Sequence, residues 1–394
     1  MSPADAFRYH NSATRLIAGP DAIAALPDEV AEAGCRRLML LASPSGARSA
    51  AFARVENLLG ERVVGRLTTI PNHSSDGLVE RTAAEAGALG IDGLVAFGGG
   101  SVSDSAKAIA ICLAEGGPLQ RHASSFRPPD HFVSPVLAAP KLPIFAVPIS
   151  ASAAEVTPGL GIRSDETGLK LLFWDVKLCP RAIFLDPQVN VAVPAQIMQA
   201  TLMNALAHCV EGMYSRIRNP VSQGLALEGA RQIAEAMREI AAAPEAAGPR
   251  MKALVGAHIS GMVISNSRVG IHHAVCHCLG SVGGLSHGES NSIMLPHAMR
   301  FNAGVSGVEL ARMALAIGPS AGSAPLGATP EAAIAEVEAL QQAAGVTRRL
   351  RDTRLTRDRL PEIAEATLHD RGLFFNPRRV SQRDEILPLL ESAW

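Results

Sequence analysis

Two kinds of hydrophobic pattern alternate along the first half of the chain. Short, almost continuous apolar runs have the length of buried β-strands, and the segments between them repeat small or apolar residues every three to four positions, as helices do. Strands that alternate with helices predict βαβ units around a mostly parallel sheet. The predicted strands cover residues 36–42, 93–97 and 143–148, and the predicted helices cover residues 21–33, 77–89 and 101–114.

The pattern changes near residue 194. Long stretches rich in Ala, Leu, Met and Glu follow, and helical periodicity covers residues 222–240 and 330–344. Residues 127–143 contain several prolines and predict an exposed loop. We therefore predict two domains, an α/β domain over residues 1–190 and an all-α domain over residues 191–394.

Composition narrows the class of protein. The chain has 394 residues, of which 47% are hydrophobic and 19% charged, and its formal net charge is -1. These values exclude intrinsic disorder and argue against a nucleic-acid-binding protein, which needs a basic surface. No apolar run reaches the roughly 18 residues that span a bilayer, and residues 1–16 do not have the basic-then-apolar pattern expected of a signal segment. The six scattered cysteines predict reduced thiols, so we expect a cytoplasmic protein with no nucleic-acid or membrane partner.

A glycine-rich turn follows the second predicted strand and opens a helix. Glycines let the backbone approach a ligand closely, and the free N–H groups at a helix N-terminus bind phosphate. The turn therefore predicts a site for the pyrophosphate of a dinucleotide; the alternative is a tight turn whose glycines serve packing alone. Its residues are Gly98, Gly99, Gly100 and Ser101, followed in the helix by Asp104 and Lys107.

The residues that follow the other two predicted strands could also contact a cofactor. Residues 42–45 (ASPS) contain no carboxylate that would repel a ribose 2'-phosphate, so NADH and NADPH both stay open as cofactors. Ser150, Ser152 and Glu155 follow the third strand, at the edge where open α/β sheets bind their ligands. The alternative for these three residues is an ordinary helix N-cap with an acidic first turn.

Histidine is the most unusual feature of the composition, with twelve residues beside two Trp and two Tyr. Asn204 and His208, like His273 and His277, are four residues apart and therefore share one face of a helix. A connection rich in small residues then leads to His287. Neutral imidazoles bind zinc or Fe²⁺, and an unligated imidazole transfers protons near neutral pH. The spacing therefore predicts one pocket in the helical domain, suited to a metal ion or to proton transfer.

Five segments of the chain resemble the iron-containing, or group III, alcohol dehydrogenase superfamily, and within it the maleylacetate reductases. The resemblance implies a dehydroquinate synthase-like fold, with a dinucleotide-binding α/β domain, an all-α domain, an active site in the cleft between them, and a homodimer. The segments are GGGSVSDSAKAIA (98–110), NALAHCVEGMYS (204–215), GIHHAVCHCLG (270–280), LSHGESNSIMLPHAMRFN (285–302) and NPRRVSQRDEILPLLESAW (376–394).

The resemblance also implies roles for individual residues. The glycine turn would hold the pyrophosphate of NADH or NADPH. Ser150 and Glu155 fall in a segment, PISASAAEVT, that matches the family's P-T-T-x-x-x-S-E-V-T, and Lys170 matches a lysine near the cofactor ribose. The superfamily's metal shell of one Asp and three His corresponds here to Asn204, His208, His273 and His287, with His277 as an additional histidine on the substrate side.

Asn204 is the main departure from the superfamily pattern. It replaces the carboxylate, so a divalent ion would lose its only anionic ligand. Maleylacetate reductases resemble this chain in having Asn there and are regarded as metal-independent. We therefore predict a metal-free site, with Fe²⁺ or Zn²⁺ as the alternative. Ile149, Ala154 and Ala274 also replace the family's usual Thr, Ser and Lys.

The leading hypothesis for function is NAD(P)H-dependent reduction of the carbon-carbon double bond of maleylacetate, or of a related unsaturated oxo-acid, to 3-oxoadipate or its analogue. His208, His273 and His277 would stabilise and protonate the enolate. One alternative is metal-dependent oxidation of a small alcohol or hydroxy acid by NAD(P). A second alternative is a non-catalytic family member.

Overall fold

The computed structural model describes residues 6–318, 327–346 and 348–394. Strands and helices alternate in its first half, and helices make up the second. The strands are β1 (Arg15–Ala18), β2 (Leu38–Ala42), β3 (Val63–Leu67), β4 (Gly93–Gly98), β5 (Ser125–Arg127), β6 (His131–Val133), β7 (Ile144–Pro148), β8 (Gly159–Arg163), β9 (Lys170–Trp174) and β10 (Ala182–Leu185). The helices are α1 (Leu26–Glu32), α2 (Ala50–Leu59), α3 (Asp76–Ala88), α4 (Gly100–Glu115), α5 (Pro187–Val191), α6 (Ala195–Tyr214), α7 (Pro220–Ala242), α8 (Ala247–Ser267), α9 (Ile271–Ser281), α10 (His287–Asn302), α11 (Gly307–Ile317), α12 (Pro330–Ala343), α13 (Leu360–Thr367), α14 (Gly372–Phe375) and α15 (Arg383–Ser392).

The predicted fold class, an α/β half followed by an all-α half, is confirmed. The three predicted strands correspond to β2, β4 and β7, and the helices predicted over 77–89 and 101–114 correspond to α3 and α4. The helix predicted over 21–33 divides into a 3-10 turn, Ala22–Ala25, and α1, which has a proline in its first turn. Proline favours a helix start because its missing N–H is not needed there.

A parallel sheet organises the N-terminal half. In the described residues it has six strands in the order β1-β10-β7-β4-β2-β3, and each strand is parallel to its neighbours. Alternate side chains of β2 enter different cores, Leu38 and Leu40 on one face and Met39 and Leu41 on the other. Both faces are therefore buried, as a parallel sheet covered by helices requires.

The strand order determines where a ligand can bind. From β2 the chain moves outward to β3 and then returns to the other side of β2 with β4, β7 and β10. Such a reversal creates a crevice at the carboxyl ends of the strands. Gly98 at the end of β4 is paired in register with Pro148 at the end of β7, so the glycine turn and the segment after β7 lie side by side.

The described residues form two compact units. The α/β unit contains residues 11–124 and 134–193, and the helical unit contains residues 6–10, 125–133 and 194–394. The sequence-based division at residue 190 places residues 125–133 with the sheet, whereas here they group with the helices. The periodicity of the sequence could not predict that residues 125–133 join the helical unit, because this grouping depends on contacts between residues far apart in the chain.

The prediction of an exposed loop over residues 127–143 is wrong in part. Strands β5 and β6 form an antiparallel hairpin there, with Arg127 paired with His131. Within the helical unit, the ring of Phe132 stacks on Phe374, with centroids 5.6 Å apart, and Phe126 meets the same ring edge-on. Asp130 in the turn pairs with Arg216 and Arg379. Aromatic contacts and ion pairs therefore hold this hairpin on α14.

No helix in the described ranges is long and apolar enough to cross a membrane.

Candidate functional site

The glycine turn has the geometry of an anion-binding helix start. Gly99 is the N-cap residue of α4, and no side chain caps the helix. Val102 N donates to Gly99 O at 3.1 Å, and the N–H groups before it lie at a helix start without a side-chain cap, where a phosphate can bind. A Cβ at Gly98 would lie 2.4 Å from Val102 Cγ2, and one at Gly99 would lie 3.0 Å from Ser150 Oγ. The turn thus needs glycine for its own packing, and it also offers backbone donors to a phosphate.

Two other residues predicted for the cofactor meet at Gly161, in the middle of β8. Asp104 on α4 accepts a hydrogen bond from Gly161 N at 3.0 Å. The side chain of Lys170 crosses Gly161, where an added Cβ would overlap Lys170 Cε at 2.1 Å. The structure therefore brings Asp104 and Lys170 to one strand, beside the glycine turn's own helix.

Lys107 is fully buried on α4. Its Nζ donates to the carbonyl oxygens of Ala154 and Thr157, and to Gly159 O at 3.2 Å. Burial lowers the pKa of this amine below its usual value, while the nearby Asp104 carboxylate acts in the opposite direction. These contacts make Lys107 the anchor of residues 154–159, and its direct contact with a nucleotide stays a prediction.

Replacing Lys107 by methionine should lower the free energy of unfolding by about 3 kcal/mol, because buried carbonyls would lose their donor. Chemical denaturation of the two proteins measures the difference. Lys252→Met is the control, since the Lys252 amine pairs with the partly exposed carboxylates of Glu235 and Glu239 and its loss should cost less than about 1 kcal/mol. Equal losses in both variants would contradict the anchoring role.

The segment after β7 is irregular, with no helix over residues 149–158. The alternative prediction of a helix N-cap at Ser150, Ser152 and Glu155 is therefore wrong. Ala153 is buried in the left-handed region at φ 58°, a conformation that non-glycine residues rarely adopt. Glu155 is 3% exposed, and burial raises the pKa of its carboxyl to about 7. Such strained backbone and shifted ionisation are typical of binding sites.

The raised pKa of Glu155 predicts a pH-dependent stability. Ionisation of a buried carboxyl is disfavoured in the folded protein, so the unfolding free energy should fall as the pH rises from 4.5 to about 7. The full shift corresponds to roughly 3 kcal/mol. Glu155→Gln removes the ionisation and should gain stability relative to the wild type between pH 5 and pH 8.

Denaturation curves of the wild type and of Glu155→Gln at pH 5 and at pH 8 measure this gain in stability. The matched control is Glu85→Gln, at an exposed position of α3. A difference between Glu155→Gln and the wild type that is the same at pH 5 and pH 8 would refute the prediction.

The predicted histidines meet within the helical unit. Helix α9 carries His273 and His277 one turn apart, and their ring centroids are 6.1 Å apart. His208 of α6 stacks on His273 at 4.8 Å, and His287, the first residue of α10, stacks on His277 at 5.8 Å. The Asn204 amide lies between two of these rings, with Oδ1 3.1 Å from His273 Nε2 and Nδ2 3.4 Å from His208 Nε2. The structure thus brings the predicted residues together, and their roles stay predictions.

Two buried carboxylates that the sequence analysis did not identify contact these imidazoles. Glu211 Oε2 accepts a short hydrogen bond from His273 Nδ1, and Asp370 Oδ2 lies 2.7 Å from His277 Nδ1. Glu211 shares one face of α6 with Asn204 and His208, which was a usable signal. Asp370 is 93 residues from His277, and no local pattern connects the two.

The carboxylates are ionised despite their burial. Burial by itself would raise the pKa of Glu211, but His273 and His272 lower it well below its usual value. The pKa of Asp370 is likewise lowered, because His277 and the Gly372 N–H outweigh burial. An ionised carboxylate only accepts hydrogen bonds. Both Nδ1 atoms must therefore donate, which leaves Nε2 as the atom of each ring that can gain or lose a proton.

Two imidazoles of the cluster, those of His208 and His273, are neutral at pH 7, whereas burial of His272 is outweighed by Cys276 and Glu211, which raise its pKa to about 10. Burial lowers the pKa of His273 to about 4, and it lowers that of His208 well below its usual value. Rotation of the Asn204 amide by a half-turn exchanges its donor and acceptor, so the amide matches either protonation state of the two rings. The His208 Nδ1 atom is 3.3 Å from Ser260 Oγ, which completes the polar contacts of that ring.

The predicted metal positions offer three imidazoles and no carboxylate. Asn204 contributes a neutral amide, and that amide is already within hydrogen-bond distance of the Nε2 atoms of His208 and His273. In the described residues, the donor atoms of Glu211, His272 and His273 lie within 4.8 Å of one another. However, the Glu211 carboxylate there is hydrogen-bonded to His273 Nδ1, so it serves as the partner of an imidazole.

Both halves of the chain match models of one known protein family. Residues 13–187 match the family described as iron-containing alcohol dehydrogenase, and residues 198–394 match its C-terminal family, Fe-containing alcohol dehydrogenase. A maleylacetate reductase of Burkholderia cepacia is 30% identical over 99% of this chain and 98% of its own length. A lactaldehyde reductase of Escherichia coli strain K12 is 30% identical over 95% of this chain and 97% of its own length. The crystal structure of a 1,3-propanediol oxidoreductase superposes with a TM-score of 0.88 at 27% identity, over 99% of this chain and all of the other.

Proposed function

Since this chain belongs to the iron-containing alcohol dehydrogenase family, we propose that it is an oxidoreductase that reduces the double bond of maleylacetate, or of a related unsaturated oxo-acid, with NADH or NADPH. The single observation that carries the substrate class is the Asn204 amide between His208 and His273, because it replaces an anionic metal ligand by a hydrogen-bonding group. Imidazoles that are not tied to a metal are available for proton transfer and for oxyanion stabilisation.

The α/β unit suits the nucleotide. The uncapped N-terminus of α4 offers backbone donors to the pyrophosphate, and Ser150 lies against the turn. After β2, the hydroxyls of Ser43 and Ser45 are 3.3 Å apart, at the sheet edge where the ribose of a nicotinamide cofactor is commonly held. When bound, the nicotinamide supplies a hydride. Ser43 and Ser45 carry no charge against a 2'-phosphate, so both cofactors belong in the assay.

The histidines suit the second half of the reaction. Addition of hydride to the alkene carbon β to the ketone moves an electron pair onto the ketone oxygen and forms an enolate. His277 keeps its Nδ1 proton on Asp370 and takes up a second proton from water at Nε2. The doubly protonated ring then delivers that second proton from Nε2 to the α carbon, and the double bond is reduced. The positive charge of the doubly protonated His277 stabilises the enolate as it forms. His208 and His273 have their Nδ1 atoms on Ser260 and Glu211, and their Nε2 atoms hold the Asn204 amide.

His277 is the best placed of these imidazoles to act as the acid. Its side chain is 12% exposed, against 4% for His273, so it can be reprotonated from water after each turnover. The Nε2 of His273 already faces the Asn204 amide. A proton donor must release and regain its proton in every cycle, which favours the more exposed ring.

Absorbance of the reduced nicotinamide tests this proposal. The purified chain is mixed with NADH or NADPH and maleylacetate, and in parallel with lactaldehyde and other small aldehydes, after metal analysis of protein prepared without chelator. We expect oxidation of the cofactor with maleylacetate and no dependence on added Fe²⁺ or Zn²⁺. Activity on aldehydes alone, together with stoichiometric metal, would instead support a metal-dependent alcohol dehydrogenase, in line with the lactaldehyde reductase relative. Absence of turnover with every substrate would favour a non-catalytic protein.

We also propose a homodimer, which the family resemblance implies, and a cytoplasmic location, which the free cysteines favour. Light scattering of the purified chain measures the mass in solution.

A further inference from the structure

We propose that Asp370 is a positioning residue that holds the Nδ1 proton of His277 and so selects the Nδ1–H tautomer of the neutral ring. Nε2 is then the atom that takes up a proton from water and transfers it to the substrate. The inference rests on the proposed function in one respect, because it assigns the proton donor of that same reaction.

The contact itself defines the tautomer. Asp370 Oδ2 is 2.7 Å from His277 Nδ1, and the other carboxylate oxygen, Oδ1, accepts from Gly372 N at 2.7 Å. Both oxygens of Asp370 are therefore used as acceptors, one by a backbone N–H that cannot reverse its role. A carboxylate with both oxygens accepting requires His277 to donate from Nδ1, which leaves Nε2 for the substrate.

The backbone around Asp370 is built for this position. The Asp370 N–H donates to Thr367 O at 3.0 Å, at the end of α13. A Cβ at Gly372 would lie 2.8 Å from Gly270 O and 3.1 Å from Asp370 Oδ1. Glycine at 372 therefore lets the Asp370 loop approach the first residues of α9, the helix that carries His277.

A second side chain ties the same two segments together. Asn376, just after α14, accepts from Ile271 N through Oδ1 at 3.1 Å, in the first turn of α9. Phe374 and Phe375 of α14 are covered by Phe132 of the hairpin, with ring centroids 5.6 and 5.8 Å away. The loop of Asp370 is thus held from both sides, which restricts the carboxylate to one orientation relative to His277.

Asp370→Asn gives a sharp test because Gly372 N determines how the new amide is placed. The amide oxygen of the variant side chain would keep the hydrogen bond from Gly372 N, and its NH₂ group would then face His277 Nδ1. That ring nitrogen would have to accept, and the proton of the neutral ring would move to Nε2. The amide NH₂ would also oppose a proton on Nδ1, so the doubly protonated ring that acts as the acid would be disfavoured. The substitution therefore inverts the tautomer while it preserves the size of the side chain.

The experiment combines kinetics and NMR on the full-length protein. Wild type, Asp370→Asn, Asp370→Glu and the exposed control Asp384→Asn are labelled with ¹⁵N-histidine, and the His277 signals are assigned by their loss in His277→Ala. We expect the Nδ1–H tautomer in the wild type and in Asp384→Asn at pH 8, and the Nε2–H tautomer in Asp370→Asn. We expect kcat of Asp370→Asn to fall by about 10²- to 10⁴-fold, with KM and nucleotide affinity changed less than about threefold, and partial recovery in Asp370→Glu.

Two results would overturn the inference: an Nε2–H tautomer in the wild type, or a kcat in Asp370→Asn within about threefold of the wild type. A purely structural role of Asp370 would instead lower nucleotide affinity and thermal stability together with kcat, and would leave the tautomer unchanged, which also contradicts the inference. If the wild type does not reduce maleylacetate, the proposed function fails, and the NMR arm still decides whether Asp370 selects the tautomer.

Discussion

Replacing His277 by alanine is expected to lower kcat for maleylacetate by about 10²- to 10⁴-fold, the range that general acid catalysis contributes. The methyl group of alanine cannot deliver a proton to the α carbon. Binding of the nucleotide should change by less than about threefold, because the residues proposed to bind it lie in the other unit of the chain. Stopped-flow turnover and fluorescence titration with NADH or NADPH separate these two effects.

The matched control for this prediction is His10→Ala, which removes an exposed imidazole outside the cluster. Its kcat should stay within about twofold of the wild type. Added imidazole should restore part of the activity of His277→Ala if the defect is the missing proton donor. A His277→Ala protein with normal kcat would remove His277 from the mechanism and would point to His208 or His273 as the acid.

Replacing Gly98 by alanine is expected to weaken NADH or NADPH binding by at least about tenfold, which corresponds to ~1.4 kcal/mol. The new Cβ would overlap Val102, with 2.4 Å to Cγ2 and 2.7 Å to Cβ, in the first turn of α4. Val102 is fully buried and has no room to withdraw. The start of α4 must therefore shift, and its N–H groups would move away from the pyrophosphate.

Gly87→Ala is the control for this substitution, because a Cβ there would make only an ordinary contact, 3.6 Å from Leu113 Cδ2. Gly87 lies inside α3, where alanine favours the helix by up to about 1 kcal/mol. Nucleotide affinity of Gly87→Ala should equal that of the wild type. Unchanged affinity in Gly98→Ala would show that the turn serves packing alone, which was the alternative for this motif.

Structural features formed by residues close in sequence were predicted most reliably. The spacing of four between Asn204 and His208, and between His273 and His277, was enough to place each pair on one helix face, and α6 and α9 confirm the helices. The strand before the glycine turn and the helix after it were also predicted from the sequence, and β4 and α4 confirm them. The four-residue strands β1 and β10 were missed, because such short apolar runs do not differ from buried helix turns in their periodicity.

Lys107 shows how a motif residue can acquire a different role in the folded chain. Its place in the glycine motif suggested contact with the cofactor, yet its amine is used by the carbonyls of residues 154–159. These carbonyl oxygens need a donor only in the folded protein, where the loop of residues 154–159 packs on α4 and the oxygens lose their contact with water. Buried acceptors must find donors, and this lysine is the donor within reach.

The sequence by itself determined the helix and strand periods, the glycine turn, the family, and the set of histidines, because each of these depends on residues within a few positions of one another. Only the tertiary structure decided the partners of those histidines. Glu211 with His273 and Asp370 with His277 are pairs separated by 62 and 93 residues. A carboxylate controls the proton of an imidazole only at hydrogen-bond distance, and that distance is set by how α6, α9 and the loop before α14 pack.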